Sequence, residues 1–457
     1  MQLPNIKDAR IRTKEKIEVS YDKYKVPESI HNIGHNKTYT ILTYGCQMNV
    51  HDSENISGIM EDLGYTKEEN YEKADVIIIN TCAIRENAQN KVVGILGRIK
   101  KLKETNPNII TIIGGCMPQE ESVSNMIKDK DKWVDIVLGT HNIYDIPILL
   151  ENITKERKQN IEVYSVEGSI IENLPVKRDS NISAWVNIMY GCDKFCSYCI
   201  VPYTRGKQRS RLPKDILKEV EELKNKGYKE VTLLGQNVNA YGKDLEESYT
   251  MANLLEDVAK TGIDRIRFVT SHPWDFSSDM IDIIAKYPNI MPYIHLPIQS
   301  GSDNILKKMN RRYTIAEYKK LFHELKDKIP KVSITTDIIV GFPGETEEDF
   351  EETLKIYNEL KYDLAYTFIY SPREGTPAAK IKDDVPLEEK EERLQRLNKV
   401  VNKYARENNE KYKDKIVPVL IEGYSDKGGK LMGYTDTMKL VNVLGDPSNI
   451  GSIKQVH

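Results

Sequence analysis

Six times between residues 184 and 375 a short run of β-branched and apolar residues ends in a polar or glycine-rich cluster, and helical patterns separate the runs. The runs occupy 184–190, 230–234, 265–269, 291–296, 332–340 and 364–370. Helical periodicity marks 216–226, 254–260 and 350–360, the last behind the capping box Thr346-Glu347-Glu348-Asp349. After the six runs come, in turn, a cysteine loop, Gly235-Gln236-Asn237, Thr270-Ser271-His272-Pro273, Gln299-Ser300-Gly301-Ser302, Gly341-Phe342-Pro343-Gly344-Glu345 and Ser371-Pro372-Arg373. Taken singly, each cluster is equally a turn or the start of a helix. Six in register on one rim describe the carboxyl-terminal face of a parallel β/α barrel, where chemistry is carried out. Side chains such as Asn237, Ser271, Gln299 and Ser300 can hydrogen-bond ribose or amino-acid groups of a cofactor, and the glycines let a flat ring lie against backbone.

Residues 38–150 carry a second pattern of the same kind. The runs 40–44, 76–79 and 109–113 read as buried parallel strands. Ile56, Ile59, Met60 and Leu63 then fall at helical spacing behind a cap at Asp52 or Ser53, and Val92, Val93, Leu96 and Ile99 mark another helix. A cysteine follows each strand directly: Gly45-Cys46, Asn80-Thr81-Cys82 and Gly114-Gly115-Cys116. In an open parallel sheet these positions share one edge, so three thiols converge. Buried structural cysteines and a zinc site are the competing readings.

The chain has six cysteines in all, and the other three form the compact set Cys192, Cys196 and Cys199 in the loop after the first barrel strand. Three thiolates so close suit an iron–sulfur cluster that normally takes four, which leaves one iron open to a ligand. A structural zinc would want a fourth Cys or His nearby, and the closest downstream histidine is His272. No apolar run approaches the ~20 residues needed to cross a bilayer. The first 37 residues, with Lys7, Arg10, Arg12, Lys14 and Lys16, lack the apolar stretch of a secretory signal, so a cytoplasmic protein with no membrane partner is expected. The net charge of −3 neither favours nor excludes nucleic acid.

The organisation expected is α/β: an extension (1–37), an open parallel-sheet domain (38–150), a linker (151–183, charged and containing Pro175), a partial (β/α)6 barrel (184–386), a connecting helix (387–410) and a small all-β barrel (411–457). Leu394, Leu397, Val401 and Tyr404 form the apolar stripe of the connecting helix. Strands at 416–421, 430–433 and 439–443, divided by Asp426-Lys427-Gly428-Gly429 and Gly445-Asp446-Pro447, give a small β-barrel pattern.

Over residues 38–457 these features resemble the radical-SAM methylthiotransferases, in the branch that modifies transfer RNA. The resemblance rests on Tyr44-Gly45-Cys46-Gln47-Met48-Asn49, on Asn80-Thr81-Cys82, on the Cys192–Cys199 loop with Tyr203-Thr204-Arg205-Gly206, and on Gly235-Gln236-Asn237-Val238-Asn239. It implies two 4Fe-4S clusters. One, on Cys192, Cys196 and Cys199, binds S-adenosylmethionine and starts radical chemistry; the other, on Cys46, Cys82 and Cys116, supplies the sulfur. Gly235, Gln236, Asn237, Gln299, Ser300, Gly341 and Glu345 would lie on the cofactor side with Ser271, and Arg205, Arg209 and Arg211 would contact tRNA phosphates alongside Lys207. The C-terminal barrel would be a TRAM domain; against that family's pattern the chain stops at His457, short of the last strand or two, so the domain is expected to be truncated or its barrel to close differently. The implied reaction is methylthiolation at C2 of N6-isopentenyladenosine 37 of tRNA with two S-adenosylmethionine molecules, an electron donor such as flavodoxin or ferredoxin, and a sulfur source. Alternatives are methylthiolation of a threonylcarbamoyl-modified tRNA or a ribosomal protein, and a non-catalytic, metal-stabilised RNA-binding protein.

Overall fold

The computed structural model describes residues 3–4, 19–83, 86–164, 169–426 and 428–457, and for 86–90 the backbone alone. The basic side chains Lys7 to Lys16 and Lys427 lie outside the described residues. The chain divides into two compact units: the described residues of Met1–Asp179 with Tyr190–Phe195 and Cys199–Arg211, and Ser180–Met189 with Cys196–Tyr198 and Leu212–His457.

In Met1–Asp179 of the first unit the strands are, in chain order, Tyr21–Lys23 (β1), Thr38–Thr43 (β2), Thr66–Lys67 (β3), Val76–Thr81 (β4), Ile110–Gly115 (β5), Ile136–Leu138 (β6), Asn160–Glu162 (β7) and Ile170–Glu172 (β8). Six of them form one parallel sheet in the order β3-β2-β4-β5-β6-β7. Because alternate residues of a strand face opposite ways, Val76 and Ile78 join one buried cluster with Ile56, Ile59 and Met60 of the helix Gln47–Asp62. Ile77 and Ile79 join another with Val92 and Ile99 of the helix Glu86–Thr105. That double burial explains why the strands read as unbroken apolar runs.

Two differences from the sequence reading matter here. The helix expected to start at Asp52 or Ser53 begins at Gln47, with Cys46 as its N-cap and Asn49 completing the capping box. Asp52 therefore lies inside the helix and is buried. The charged stretch 151–183, read as a linker, is structured: it contains the end of the helix Ile146–Lys155, the outermost sheet strand β7, and β8, which pairs in parallel with β1. Its last part is pinned to the helix Gln47–Asp62, where Lys177 N–H donates to Glu54 O at 3.0 Å and Asp179 N–H to Glu54 Oε1 at 3.2 Å. Lone charges in sequence gave no hint that their partners sat on that helix.

In the second unit the parallel strands are Ser183–Asn187 (β9), Glu230–Leu234 (β12), Arg265–Phe268 (β13), Tyr293–His295 (β14), Ser333–Val340 (β15) and Leu364–Ile369 (β16); the short strands Met189–Tyr190 (β10) and Arg209–Ser210 (β11) bracket the cysteine loop in the chain. The six parallel strands form two three-stranded sheets, β9-β12-β13 and β14-β15-β16, joined by the parallel bridge Ile266↔Ile290, while β10 and β11 pair with each other. A single buried cluster runs through both, from Val186 and Val231 to Ile334 and Ala365. This is the six-stranded partial barrel expected from the pattern. The capping box forms as written: Thr346 accepts from Asp349 N–H, and the Asp349 carboxylate accepts from Thr346 N–H.

The helix Leu387–Glu410 packs along the outer side of β16, where the Thr367 hydroxyl donates to Asn398 Oδ1 at 2.6 Å. Its Arg393 is fully buried and donates to Glu345 Oε2 at 2.9 Å and to Glu345 O at 3.0 Å. Burial pushes the Glu345 carboxyl up to about 7 despite the guanidinium beside it and the N–H of Gly341, which donates at 2.6 Å. Removing one partner of such a pair strands the other. Arg393→Met is expected to destabilise the protein in denaturant unfolding by more than the ~0–1 kcal/mol of a surface pair, and more at high pH, where Glu345 must stay ionised, than near pH 6, where it can protonate; a loss within ~0–1 kcal/mol at both pH values would show that Glu345 does not depend on Arg393.

Beyond that helix lie Val417–Tyr424 (β17), Leu431–Thr435 (β18), Leu440–Val443 (β19) and Ile453–Val456 (β20), an antiparallel sheet in the order β19-β18-β17-β20. The fourth strand was missed because Ile453, Lys454 and Gln455 are all exposed and offer no apolar alternation. Its pairing to β17, Val417↔Val456 through Leu420↔Ile453, fills the edge that the sequence reading left open.

Candidate active site and its cysteine triads

The sheet register of the first unit places the dispersed cysteines side by side. Thr43 pairs with Asn80 and Thr81 with Gly115, so β2, β4 and β5 end next to one another and hand over to Cys46, Cys82 and Cys116. Cys82 and Cys116 are buried, and Cys46 is partly exposed. Gly115 has φ +97°, and a Cβ there would lie 2.4 Å from Thr81 O, so only glycine lets β5 turn into Cys116 this close to its neighbour. A polar lattice fixes the three strand ends. Asn49 Nδ2 donates to Thr81 O at 3.1 Å and to Asn80 Oδ1 at 3.3 Å, while Asn80 Nδ2 donates to Asn49 O at 2.8 Å and to Ser53 Oγ at 2.9 Å. The Cys116 N–H donates to Thr81 O at 2.9 Å.

The electrostatics of this triad suit a metal group. Burial pushes the Cys116 thiol up to about 12, the neighbouring Cys82 and Cys46 push the same way, and only Arg205 opposes them. Three crowded thiolates are thus unfavourable alone, and an iron–sulfur cluster supplies the positive charge that lets them ionise. The donor set is all sulfur and fits.

Arg205 comes from the segment just after the compact cysteines. That segment folds as the short helix Val201–Thr204, and its Ile200 and Tyr203 share a buried cluster with Cys116 and Ala83. Arg205 Nε donates to Cys116 Sγ at 3.3 Å and Nη2 to Asp52 Oδ2 at 2.6 Å. Arg211 makes a bidentate pair with Glu172, at 2.7 and 2.6 Å, and the Arg209 guanidinium lies over the Tyr190 ring at 5.5 Å. All three arginines are buried. The expected phosphate-binding cluster of Arg205, Arg209 and Arg211 is therefore turned inward onto a thiol, a ring and carboxylates. Sequence spacing could not separate an inward arginine from a solvated one, because the carboxylate partners Asp52 and Glu172 are far away in the chain.

In the compact set, Cys192 and Cys196 are buried and Cys199 is partly exposed. The Cys192 N–H donates to Gly206 O at 3.1 Å. Phe195 adopts φ +48°, which turns the loop between the first two cysteines. The stretch Cys196–Tyr198 is anchored within the second unit: Ser197 N–H donates to Met309 O at 2.9 Å, Ser197 Oγ to Lys308 O at 2.8 Å, and Ala378 N–H to Ser197 O at 2.8 Å. Arg311, also buried, donates through Nη1 to Cys196 Sγ at 3.5 Å and through Nη2 to Pro297 O at 2.9 Å. Sequence reasoning missed Arg311 because Lys307, Lys308, Arg311 and Arg312 form one basic run that looks solvated throughout.

The barrel rim brings the other expected residues to the strand ends. Asn237 Nδ2 donates to Asp275 Oδ2 at 2.7 Å, and its buried Oδ1 has no partner among the described residues; the buried Ser271 Oγ is in the same condition. Gln299 takes φ +69° and bridges to Ile338, its N–H donating to Asp337 O at 2.9 Å. Ser300 faces Thr353 at 3.5 Å between hydroxyls and accepts from Ser302 N–H at 3.2 Å. Gly341, at φ +68°, passes so near Lys390 that a Cβ would lie 2.3 Å from its Cγ. Gly235 is packed against Met189, and Gln236 is half-buried. Glu345 is held by Gly341 and Arg393, which makes it a brace of the rim rather than a free carboxylate.

Comparison with known proteins agrees with this layout. Residues 38–139 match the model described as uncharacterized protein family UPF0004, 186–356 that of the radical SAM superfamily, and 410–457 that of the TRAM domain. A tRNA-2-methylthio-N(6)-dimethylallyladenosine synthase of Bacillus cytotoxicus is 53% identical over 457 residues, which cover 100% of this chain and 90% of that protein. The synthase of the same name from Staphylococcus epidermidis is 53% identical with 100% and 89% covered. Among solved structures, the radical S-adenosylmethionine methyltransferase TsrM from Kitasatospora setae aligns at a TM-score of 0.54 with 14% identity, over 75% of this chain and 74% of that one. At that identity the likeness shows a shared fold. Full-length identity to the synthases, with the two cysteine triads set at the ends of parallel strands, makes this chain a member of the radical-SAM methylthiotransferase family, in the branch that modifies tRNA.

Proposed function

We infer that the chain replaces the C2 hydrogen of N6-isopentenyladenosine 37 in tRNA by a methylthio group, consuming two molecules of S-adenosylmethionine. When bound, the cluster of the compact triad supplies a carbon radical from one S-adenosylmethionine, the cluster of the dispersed triad supplies sulfur, and the second S-adenosylmethionine supplies the methyl group. The observation that carries the reading is the segment 199–211. It starts at Cys199 of one triad and places Arg205 on Cys116 of the other, so one short stretch borders both.

The chain's own residues orient and shield. Cys192, Cys196 and Cys199 would hold the cluster with an open iron, and Cys46, Cys82 and Cys116 the second. The orphaned Asn237 Oδ1 and Ser271 Oγ suit polar groups of S-adenosylmethionine, with Asp275 holding the Asn237 amide in one orientation. Gln299, Ser300 and Gly341 shape the same rim through their backbones; Glu345 would act on the cofactor side indirectly, by fixing Gly341. The target base has to leave its stack to meet a buried radical, which is easiest in a single-stranded loop. TRAM-domain contacts to tRNA, a flavodoxin- or ferredoxin-like electron donor, a sulfur source and a cytoplasmic setting complete the picture. Among the described residues no helix is long and apolar enough to cross a membrane.

The test in cells is direct. Transfer RNA from a host lacking this chain is expected to contain N6-isopentenyladenosine where the complemented strain contains the 2-methylthio form. Accumulation of unmodified adenosine, or no difference between the strains, would refute the substrate.

A further inference from the structure

Each cysteine triad has one sulfur facing a buried arginine, and the two arginines differ in what else they touch. Arg205 gives Nε to Cys116 Sγ at 3.3 Å and is tied to the buried carboxylate of Asp52 at 2.6 Å. Arg311 gives Nη1 to Cys196 Sγ at 3.5 Å, and its other partners are neutral, Pro297 O at 2.9 Å and the Tyr313 hydroxyl at 3.1 Å. A guanidinium keeps its charge under all ordinary conditions, and out of water that charge is weakly screened. Hydrogen bonds to cluster sulfurs and nearby charge are what tune an iron–sulfur centre.

We propose that Arg205 and Arg311 are positioning residues that set the reduction potential of the clusters on their respective triads, with Asp52 offsetting part of the charge of Arg205. The inference rests on the two-cluster reading above. An added electron makes a cluster more negative, so a facing guanidinium stabilises the reduced form and raises the potential. Arg311, with no carboxylate beside it in these contacts, exerts the larger effect on its cluster. Asp52 lets the arginine at Cys116 hold the sulfur while muting its charge, which leaves the sulfur-supplying cluster harder to reduce than it would be beside an uncompensated arginine. Two unlike demands, electron entry at one cluster and sulfur delivery at the other, are thereby met by the same kind of side chain.

The test is a redox titration of the reconstituted, full-length protein followed by electron paramagnetic resonance, with each cluster's signal assigned by the variant lacking the other triad. Arg205→Gln should lower only the midpoint of the dispersed-triad cluster, and Arg311→Gln should lower only that of the compact-triad cluster, by a larger shift. Asp52→Asn keeps an oxygen acceptor for Arg205 but removes the opposing charge, so it should raise the dispersed-triad midpoint. Opposite signs for Arg205→Gln and Asp52→Asn are the signature of charge; a merely structural pair would disturb the cluster in the same sense from either side. If Arg205→Gln does not retain its cluster, Arg205→Lys and Asp52→Asn still decide the sign. Unchanged midpoints in loaded variants, or shifts of one sign from both partners, overturn the proposal. Absence of two clusters in the unsubstituted protein would instead overturn the reading beneath it.

Discussion

With Cys46, Cys82 and Cys116 all replaced by Ala, the protein is expected to go on cleaving S-adenosylmethionine to 5′-deoxyadenosine while forming no methylthio nucleoside. The reasoning is local. The three thiols end β2, β4 and β5 within the first unit, and that sheet is held by apolar clusters on both faces that do not depend on the sulfurs. Cysteine to alanine there removes one sulfur per site, buried at Cys82 and Cys116 and partly exposed at Cys46, and leaves the asparagine lattice of Asn49 and Asn80 in place. Loss of an outer partner of a metal site already costs roughly 10–100-fold, so loss of all three ligands should exceed that and take product below detection. Anaerobic turnover with separate quantification of 5′-deoxyadenosine and modified nucleoside checks it. Methylthiolation at the parental level would remove the dispersed triad from sulfur transfer.

The second large effect is expected from Cys196→Ala. Cys196 is the compact-triad thiol whose neighbours are most firmly built in: Ser197 is bonded to Met309, Lys308 and Ala378, and Arg311 faces the sulfur itself. With two thiols left, the cluster has no defined open iron, and both 5′-deoxyadenosine and methylthio product should fall by well over the roughly 100-fold of an outer-shell loss. Iron bound at the other triad should stay. Radical formation surviving in this variant would mean that the initiating centre lies elsewhere. The two variants together separate the roles, since one abolishes transfer alone and the other abolishes both steps.

What the sequence disclosed and what it hid divide along a physical line. The parallel strands were legible because burial on both faces leaves runs such as Val76-Ile77-Ile78-Ile79 with no polar interruption, and because glycine or polar clusters mark their carboxyl ends. The cysteines were legible because strand order in a parallel sheet converts distant positions into neighbours. Hidden were pairings between charges far apart in the chain. Asp52 looked like a helix cap because aspartate favours that position, yet Cys46 and Asn49 start the helix and Asp52 is spent on Arg205. The resemblance put Glu345 on the cofactor side, and its buried partner Arg393, forty-eight residues later in the chain, was not legible from that spacing. The segment 151–183 looked like a linker because it is charged and contains Pro175, and its strand β7, only Asn160–Glu162, is too short to give a periodic signal. The edge strand β20 was lost for want of apolar alternation.

The measurement that bears most directly on the account is an anaerobic reaction of the reconstituted full-length protein with a reductant, S-adenosylmethionine and isopentenylated tRNA, its nucleosides digested and identified by mass spectrometry. The account predicts 2-methylthio-N6-isopentenyladenosine together with 5′-deoxyadenosine and S-adenosylhomocysteine, the last two from separate molecules of S-adenosylmethionine. A protein loaded with both clusters that yields 5′-deoxyadenosine with the nucleoside unchanged would contradict the substrate, and one that yields neither would contradict the enzyme itself.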